Sequence, residues 1–294
     1  MSLDNISGQP VIVHGSTQFD MTSEVNGRTY RVFVFKPDAP APPEGYPLFL
    51  VTDANMTFPI AATLGTTHGF FGGKAPLVVG VGYPADDPVT PFLMRNRDLT
   101  PPTPVSAIKA NPMFPPPKAE DYGGSDAFRR FLIEELRPLI AQSYPVDPAN
   151  QALYGHSLGG LFALEVLFRH PESFRTYVAS SPSVWWNNCS LLEHEPAFSR
   201  KIQAGAASPR VLILVGAREQ EIPEKPVPGM TPDQVEALMR EARMVDNARE
   251  LAARLAAVTG NDGYTAEFHA FDGEEHMSVM AASISRGLTF ALRT

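Results

Sequence analysis

The chain has 294 residues, 44% of them hydrophobic and 19% charged, and its 24 basic and 32 acidic side chains give a net charge of −8. This composition predicts a globular protein with a large core, and the negative charge argues against nucleic acid or an anionic membrane as partner. There is no apolar run of 18 residues, no signal-peptide pattern and only one cysteine, Cys189, so we expect a cytoplasmic protein without an intrachain disulfide.

Apolar runs of strand length recur along the whole chain. Residues 28–36 alternate in polarity, which predicts a strand exposed on one face and an antiparallel entry into a sheet. Continuous apolar runs are typical of strands buried on both faces of a mainly parallel sheet. Such runs cover residues 46–53, 75–83, 151–155, 174–181 and 210–216. Residues 265–271 are the last predicted strand.

Helical patterns separate these strands. Residues 125–144 carry an apolar stripe with Ser125 or Asp126 as N-cap, and residues 231–258 predict one long helix with Pro232 in its first turn. The alternation predicts an α/β protein, a single domain over residues 1–294 with a mostly parallel central sheet and helices on both faces. The proline-rich residues 84–124 predict a long loop or lid.

The strongest chemical signal is the sequence GHSLG at residues 155–159. It follows an apolar strand pattern and precedes a helical one, which is the context of a G-x-S-x-G nucleophile elbow. We therefore predict Ser157 to be a catalytic nucleophile. The alternative is a glycine-rich turn between strand and helix without chemistry.

A serine nucleophile needs a base and an acid that orients the base, and after such an elbow the acid precedes the histidine in the chain. His276 lies in the loop after the last predicted strand, where it could reach back to Ser157. The acid is expected in the loop after residues 210–216. Glu219 is the first candidate there and Glu221 the second.

The oxyanion of an acyl-transfer reaction needs backbone N–H donors that are already in place. Leu158, directly after the nucleophile, is one predicted donor. The second is expected in the loop after the strand at residues 46–53, where we favour Asn55 and regard Asp53 as structural.

Several longer motifs carry a family resemblance. They are RNRDLTP at 95–101, GGSDAFRRFLIEELRPLI at 123–140, SPSVWW at 181–186, NARELAARLA at 247–256 and FDGEEH at 271–276. With the elbow, they make the chain similar to the esterase-D-like branch of the α/β hydrolases, and within it to the enterobactin-type siderophore esterases. The resemblance implies an α/β-hydrolase fold and a triad of Ser157, Glu219 and His276. It also implies hydrolysis of a catecholate siderophore trilactone.

The resemblance also suggests substrate-binding residues. Arg95 and Arg97 match its basic positions and could face an anionic or catecholate acyl group, or else be solvated or paired with Asp98. Trp185 and Trp186 occupy the place of pocket walls near Ser157, although aromatic residues after a core strand are also ordinary packing material.

The sequence therefore predicts a serine carboxylesterase that cleaves esters or lactones through an acyl-enzyme. It needs no metal or cofactor and acts on a small-molecule substrate as a monomer or homodimer. The alternatives are a general small-ester carboxylesterase, an acyltransferase of the same fold, and a hydrolase-fold protein that only binds a ligand.

Overall fold

A computed structural model describes residues 11–70, 73–85, 87, 89–108, 116–223, 226–260 and 262–293. Its described strands form one sheet of order β1-β2-β4-β3-β5-β6-β7-β8. They are β1 Ser16–Thr22, β2 Thr29–Phe35, β3 Tyr46–Thr52, β4 Leu77–Gly82, β5 Val146–His156, β6 Thr176–Ser180, β7 Arg210–Gly216 and β8 Thr265–Phe271. β2 pairs antiparallel with β1 and β4, and all pairs from β4 to β8 are parallel.

Helices cover both faces of the sheet, as the alternating pattern predicts. They are α1 Ala54–Phe70, α2 Val89–Leu99, α3 Ser125–Arg130, α4 Arg137–Ser143, α5 Leu158–Arg169, α6 Trp186–Cys189, α7 Glu195–Gln203, α8 Pro232–Ala242, α9 Met244–Ala256 and α10 Val279–Leu292. α1 and α10 pack together on one face, and α5 and α9 pack on the other. None of these helices is long and apolar enough to cross a membrane.

All seven predicted strands are present, and the antiparallel entry is confirmed by β2. The strand predicted at residues 151–155 is longer and begins at Val146. Several elements have no counterpart in the prediction, among them β1 and α1. β1 is a mostly exposed edge strand without an apolar face, and α1 contains Pro59, a residue that usually ends a helix.

The helix predicted at residues 125–144 is continuous but changes its winding. A π-helical stretch, Phe131–Leu136, joins α3 to α4. Pro138 follows it and has no N–H to donate to the preceding turn, which accounts for the wider winding. The predicted cap is wrong, because Gly124 is the N-cap and no side chain caps the helix.

The prediction of a single helix over residues 231–258 is wrong. Arg243 has a left-handed backbone with φ of 39° and separates α8 from α9. The side-chain amide of Asn247 donates to the Ala242 carbonyl. It replaces the backbone N–H that would donate to this carbonyl in a continuing helix. No glycine or proline marks this break. Pro232 begins α8, as predicted, with Thr231 in a capping box.

The segment predicted as a loop at residues 84–124 contains α2. This helix is anchored to the sheet through Asp98, whose carboxylate accepts from the hydroxyls of Tyr30 at 3.2 Å and Tyr83 at 3.0 Å and lies 3.3 Å from Arg28 Nε. Burial raises the pKa of Asp98 to about 6, although Arg28 and the hydroxyls lower it.

The raised pKa of Asp98 predicts a pH dependence of stability. The folded protein binds the Asp98 proton more tightly than the unfolded chain, whose ordinary pKa is 3.8. The resulting stabilisation is complete below about pH 4 and is lost as the pH rises through about 6. We expect the free energy of unfolding of wild type relative to Asp98→Asn to increase by roughly 2 kcal/mol from pH 7 to pH 4. Urea denaturation of both proteins at several pH values measures this difference in the free energy of unfolding. A difference that does not change with pH would contradict the prediction.

Candidate active site

The predicted nucleophile lies on a strained turn at the carboxyl end of β5. Ser157 has φ of 61°, and α5 begins at the next residue. A Cβ atom at Gly155 would lie 2.0 Å from the Gly159 carbonyl oxygen, so any larger residue at position 155 would force the turn apart. The glycine thus permits the tight approach of strand and helix that presents Ser157 at the edge of the sheet.

Three predicted residues meet at this edge. His276, in the loop after β8, places Nε2 3.1 Å from Ser157 Oγ. Its Nδ1 lies 2.7 Å from Glu219 Oε2, which belongs to the loop after β7. The three side chains therefore form one hydrogen-bonded line from a hydroxyl through an imidazole to a carboxylate.

Glu219 is held rigidly, whereas Glu221 is not part of the line. The Glu219 side chain is fully buried, and its Oε1 accepts from Ser181 Oγ and from the Gly216 N–H, both at 2.5 Å. Glu221 is exposed and accepts from Arg218 Nε at 2.9 Å. The geometry thus favours Glu219 between the two acids that the sequence leaves open.

Both predicted oxyanion donors lie at helix N-termini after neighbouring strands. Leu158 is the first residue of α5, and Asn55 is the second residue of α1, which follows β3. N–H groups in a first helical turn have no acceptor within the helix. The Asn55 side chain fixes this end of α1, because its amide donates to the Tyr83 carbonyl at 2.9 Å and accepts from the Tyr83 N–H at 2.8 Å.

A cavity of about 260 Å³ opens beside α1 and is lined by Asn55, Met56, Tyr83, Phe92, Arg95 and Asp53, among others. Arg95 is only 4% exposed, and its guanidinium donates to both carboxylate oxygens of Asp53 at 2.6 and 2.8 Å and to the His156 carbonyl at 3.2 Å. Burial alone would lower the pKa of Arg95, but Asp53 raises it. Arg95 and Asp53 therefore form a fixed ion pair beside His156, the residue that precedes Ser157.

The other predicted substrate-binding residues are not among the described residues lining this cavity. Arg97 donates to the Glu120 carbonyl at 2.5 Å. Trp186 donates from its indole to Thr103 Oγ at 2.9 Å and stacks on Tyr122, so it secures the segment that follows α2. Trp185 is half-buried and contacts Trp186. Roles in substrate binding remain predictions for all three residues.

Two residues of the site escape the sequence analysis. Ser181 has φ of 43° and supplies a hydroxyl to Glu219, and His156 is buried with its ring 4.8 Å from that of His276. Both lie at or just after the carboxyl end of a parallel strand, where ligands bind in sheets of this kind. This position in the sequence is the feature that could have identified them as residues of the site. Within the described residues no group of three His, Cys, Asp or Glu side chains could hold a metal ion.

Comparison with known proteins places the chain among esterases. Residues 23–278 match the family model described as "Putative esterase". The Ferri-bacillibactin esterase BesA of Bacillus subtilis is 36% identical over 276 residues, which is 92% of this chain and 88% of the relative. The Siderophore triacetylfusarinine C esterase of Aspergillus fumigatus is 34% identical over 298 residues, which is 95% of this chain and 94% of the relative.

Solved structures agree on the fold. The crystal structure of the BES protein from Bacillus cereus superposes with a TM-score of 0.80 at 32% identity, covering 99% of both chains. The siderophore hydrolase EstA from Aspergillus nidulans has a TM-score of 0.80 at 28% identity, covering 97% of this chain and 98% of its own. The predicted α/β-hydrolase fold and the resemblance to siderophore esterases are thereby confirmed.

The different surroundings of the two arginines predict different contributions to stability. Arg95→Met leaves the buried Asp53 carboxylate unpaired and should lower the free energy of unfolding by about 3–5 kcal/mol. Arg97→Met removes one bond of a half-buried side chain to a carbonyl and should cost about 1 kcal/mol or less. Urea denaturation of both variants provides the comparison. Equal losses would show that the Asp53–Arg95 pair is not the stabilising contact inferred from its burial.

Proposed function

The chain belongs to the esterase family, and from that premise we propose that it is a serine carboxylesterase with Ser157 as nucleophile, His276 as base and Glu219 as orienting acid. The observation that carries this assignment is the line of contacts at 3.1 and 2.7 Å through the two nitrogens of His276. The buried bonds to Ser181 and Gly216 support it, since they fix the carboxylate of Glu219.

In the acylation step, Ser157 Oγ attacks the ester carbonyl while His276 Nε2 takes the hydroxyl proton. Glu219 accepts a hydrogen bond from Nδ1–H, which selects the required tautomer and stabilises the imidazolium. The imidazolium then protonates the leaving alcohol, and an acyl group remains on Ser157. Water repeats the sequence from the acyl-enzyme, with His276 as base again, and releases the acid.

Negative charge that develops on the carbonyl oxygen is stabilised by the N–H groups of Leu158 and Asn55. Two helix N-termini meet there, and their dipoles favour an anion. Arg95 also lines the adjacent cavity, but its charge is balanced there by the Asp53 carboxylate with which it is paired.

We place the substrate in the class of siderophore esters, with a catecholate trilactone as the first candidate. The relatives named as ferri-bacillibactin and triacetylfusarinine C esterases support this assignment, because they match at 36% and 34% identity over nearly the whole chain. The cavity suits the apolar part of such a substrate, since aromatic and thioether side chains line it beside the Arg95–Asp53 ion pair. Action in the cytoplasm, as a monomer or homodimer, is part of the same proposal.

The triad assignment predicts unequal effects of two nearby glutamates. Glu219→Gln should lower kcat by roughly 10²–10⁴-fold, because the amide cannot accept from His276 in the same way and favours the wrong tautomer. Glu221→Gln, the matched control, should stay within twofold of wild type, since Glu221 contacts Arg218 at the surface. Steady-state hydrolysis of a p-nitrophenyl ester measures both. A larger loss in Glu221→Gln would refute the assignment of the acid.

The substrate assignment is tested by comparing wild type with Ser157→Ala. The panel contains short p-nitrophenyl esters, a catecholate trilactone with and without iron, and triacetylfusarinine C. We expect a kcat/KM at least tenfold higher on one of the siderophore esters, and no hydrolysis by Ser157→Ala. Better turnover of the simple esters would contradict the assignment of a siderophore substrate but leave the assignment as a carboxylesterase intact. Retained activity in Ser157→Ala would contradict the mechanism itself.

A further inference from the structure

His156, the last residue of β5, is buried behind the proposed base and takes no part in the mechanism above. It is 3% exposed, and its ring lies 4.8 Å from the His276 ring at an interplanar angle of 39°. The Nδ1 atom lies 3.0 Å from Ser180 Oγ. Its buried Nε2 has no hydrogen-bond partner among the described residues, although the imidazole interacts with the main chain of His276.

Buried hydroxyl groups connect this imidazole to α10. Tyr154, on the same strand, lies 2.7 Å from Ser283 Oγ and also interacts with the Ser180 hydroxyl. The Ser283 hydroxyl donates to the Met280 carbonyl, so Tyr154 donates to Ser283, and the Ser180 hydroxyl can donate either to the Tyr154 oxygen or to His156 Nδ1. When Ser180 donates to Nδ1, the ring proton is on Nε2.

Burial, with a smaller contribution from neighbouring groups, favours the neutral form of His156. Burial lowers its pKa well below the ordinary 6.5, and the charges of His276 and Arg95 lower it further. Arg95 approaches from α2 and donates to the His156 carbonyl, whereas His276 approaches from the loop after β8. A neutral imidazole in this place adds no repulsion when His276 takes up its proton.

We propose that His156 is a positioning residue that holds the His276 imidazole on the line between Ser157 and Glu219. The inference rests on the proposed function, because His156 acts only through His276. The His276 side chain is 37% exposed and belongs to a loop, so it needs a rigid group behind it. The His156 ring provides that group, and the proposal includes an electrostatic attraction of its Nε2–H to the His276 main chain at longer range than an ordinary hydrogen bond.

Three variants distinguish the contribution of the ring volume from the contributions of its two nitrogens. His156→Phe retains the ring volume without polar atoms, His156→Asn retains a polar group near Nδ1, and His156→Gln retains one near Nε2. We expect kcat for a p-nitrophenyl ester to fall about 10–100-fold in the Phe and Asn variants with KM within twofold. The Gln variant should keep at least a third of wild-type kcat, because its amide can donate to the His276 main chain.

Thermal unfolding and inactivation by a sulfonyl fluoride accompany these kinetics. Inactivation should slow in parallel with kcat, since it reports the Ser157–His276 pair without a bound ester. His170→Phe is the matched control, because His170 follows α5 at the opposite end of this helix from Ser157. It should have wild-type kcat. Wild-type kcat in His156→Phe, or a Gln variant as impaired as the Phe variant, overturns the inference.

Failure of the inference can be distinguished from failure of the proposed function. Hydrolysis by Ser157→Ala overturns both, whereas an inactive Ser157→Ala together with a fully active His156→Phe overturns the inference alone. If the position 156 variants do not fold, Ser180→Ala decides. It removes the hydroxyl next to Nδ1, and a three- to tenfold loss of kcat at constant KM supports the inference. Wild-type kcat in Ser180→Ala contradicts it.

Discussion

The left-handed backbone at Ser157 is the constraint from which the arrangement of the site follows. A non-glycine residue in this region costs roughly 1–3 kcal/mol and persists only where its surroundings fix it. Here the Ser157 N–H donates to the Ser180 carbonyl at 2.9 Å, and its own carbonyl accepts from Leu161 at 3.0 Å and Ser183 at 3.2 Å. The parallel pairing of β5 and β6 and the first turn of α5 thus hold the nucleophile in one orientation.

The same conformation recurs along the sheet edge. Asp53 with φ of 55° follows β3 and Ser181 with φ of 43° follows β6, so three successive neighbouring strands end in a left-handed residue. The polar side chain of each of these residues has a different role. Asp53 fixes Arg95, Ser157 contacts His276, and Ser181 fixes Glu219. The site is therefore a row of side chains whose spacing is set by the separation of parallel strands.

Local sequence patterns predict most of the central sheet and the three residues in line at its edge. Buried strands are short apolar runs, and the elbow is a local motif, so both are visible without tertiary information. The break at Arg243 and the partner of Arg95 could not be predicted in this way. The break depends on an Asn247 hydrogen bond to another helix, and the Asp53–Arg95 pair joins residues 42 positions apart in the chain. Trp186 is similar, because its partner Thr103 lies 83 positions away.

The place of β8 at the end of the sheet has a consequence for how activity is lost. Among the described strands β8 pairs with β7 alone, and its side chains are mostly half-exposed. The loop that carries His276 follows β8 directly. Edge elements of this kind open at a lower free energy than the centre of a sheet. A local opening of β8 would separate His276 from Ser157 and Glu219 while the strands from β3 to β7 stay paired. Inactivation by heat or urea should therefore precede global unfolding, and amide exchange in β8 should report the species that has lost activity.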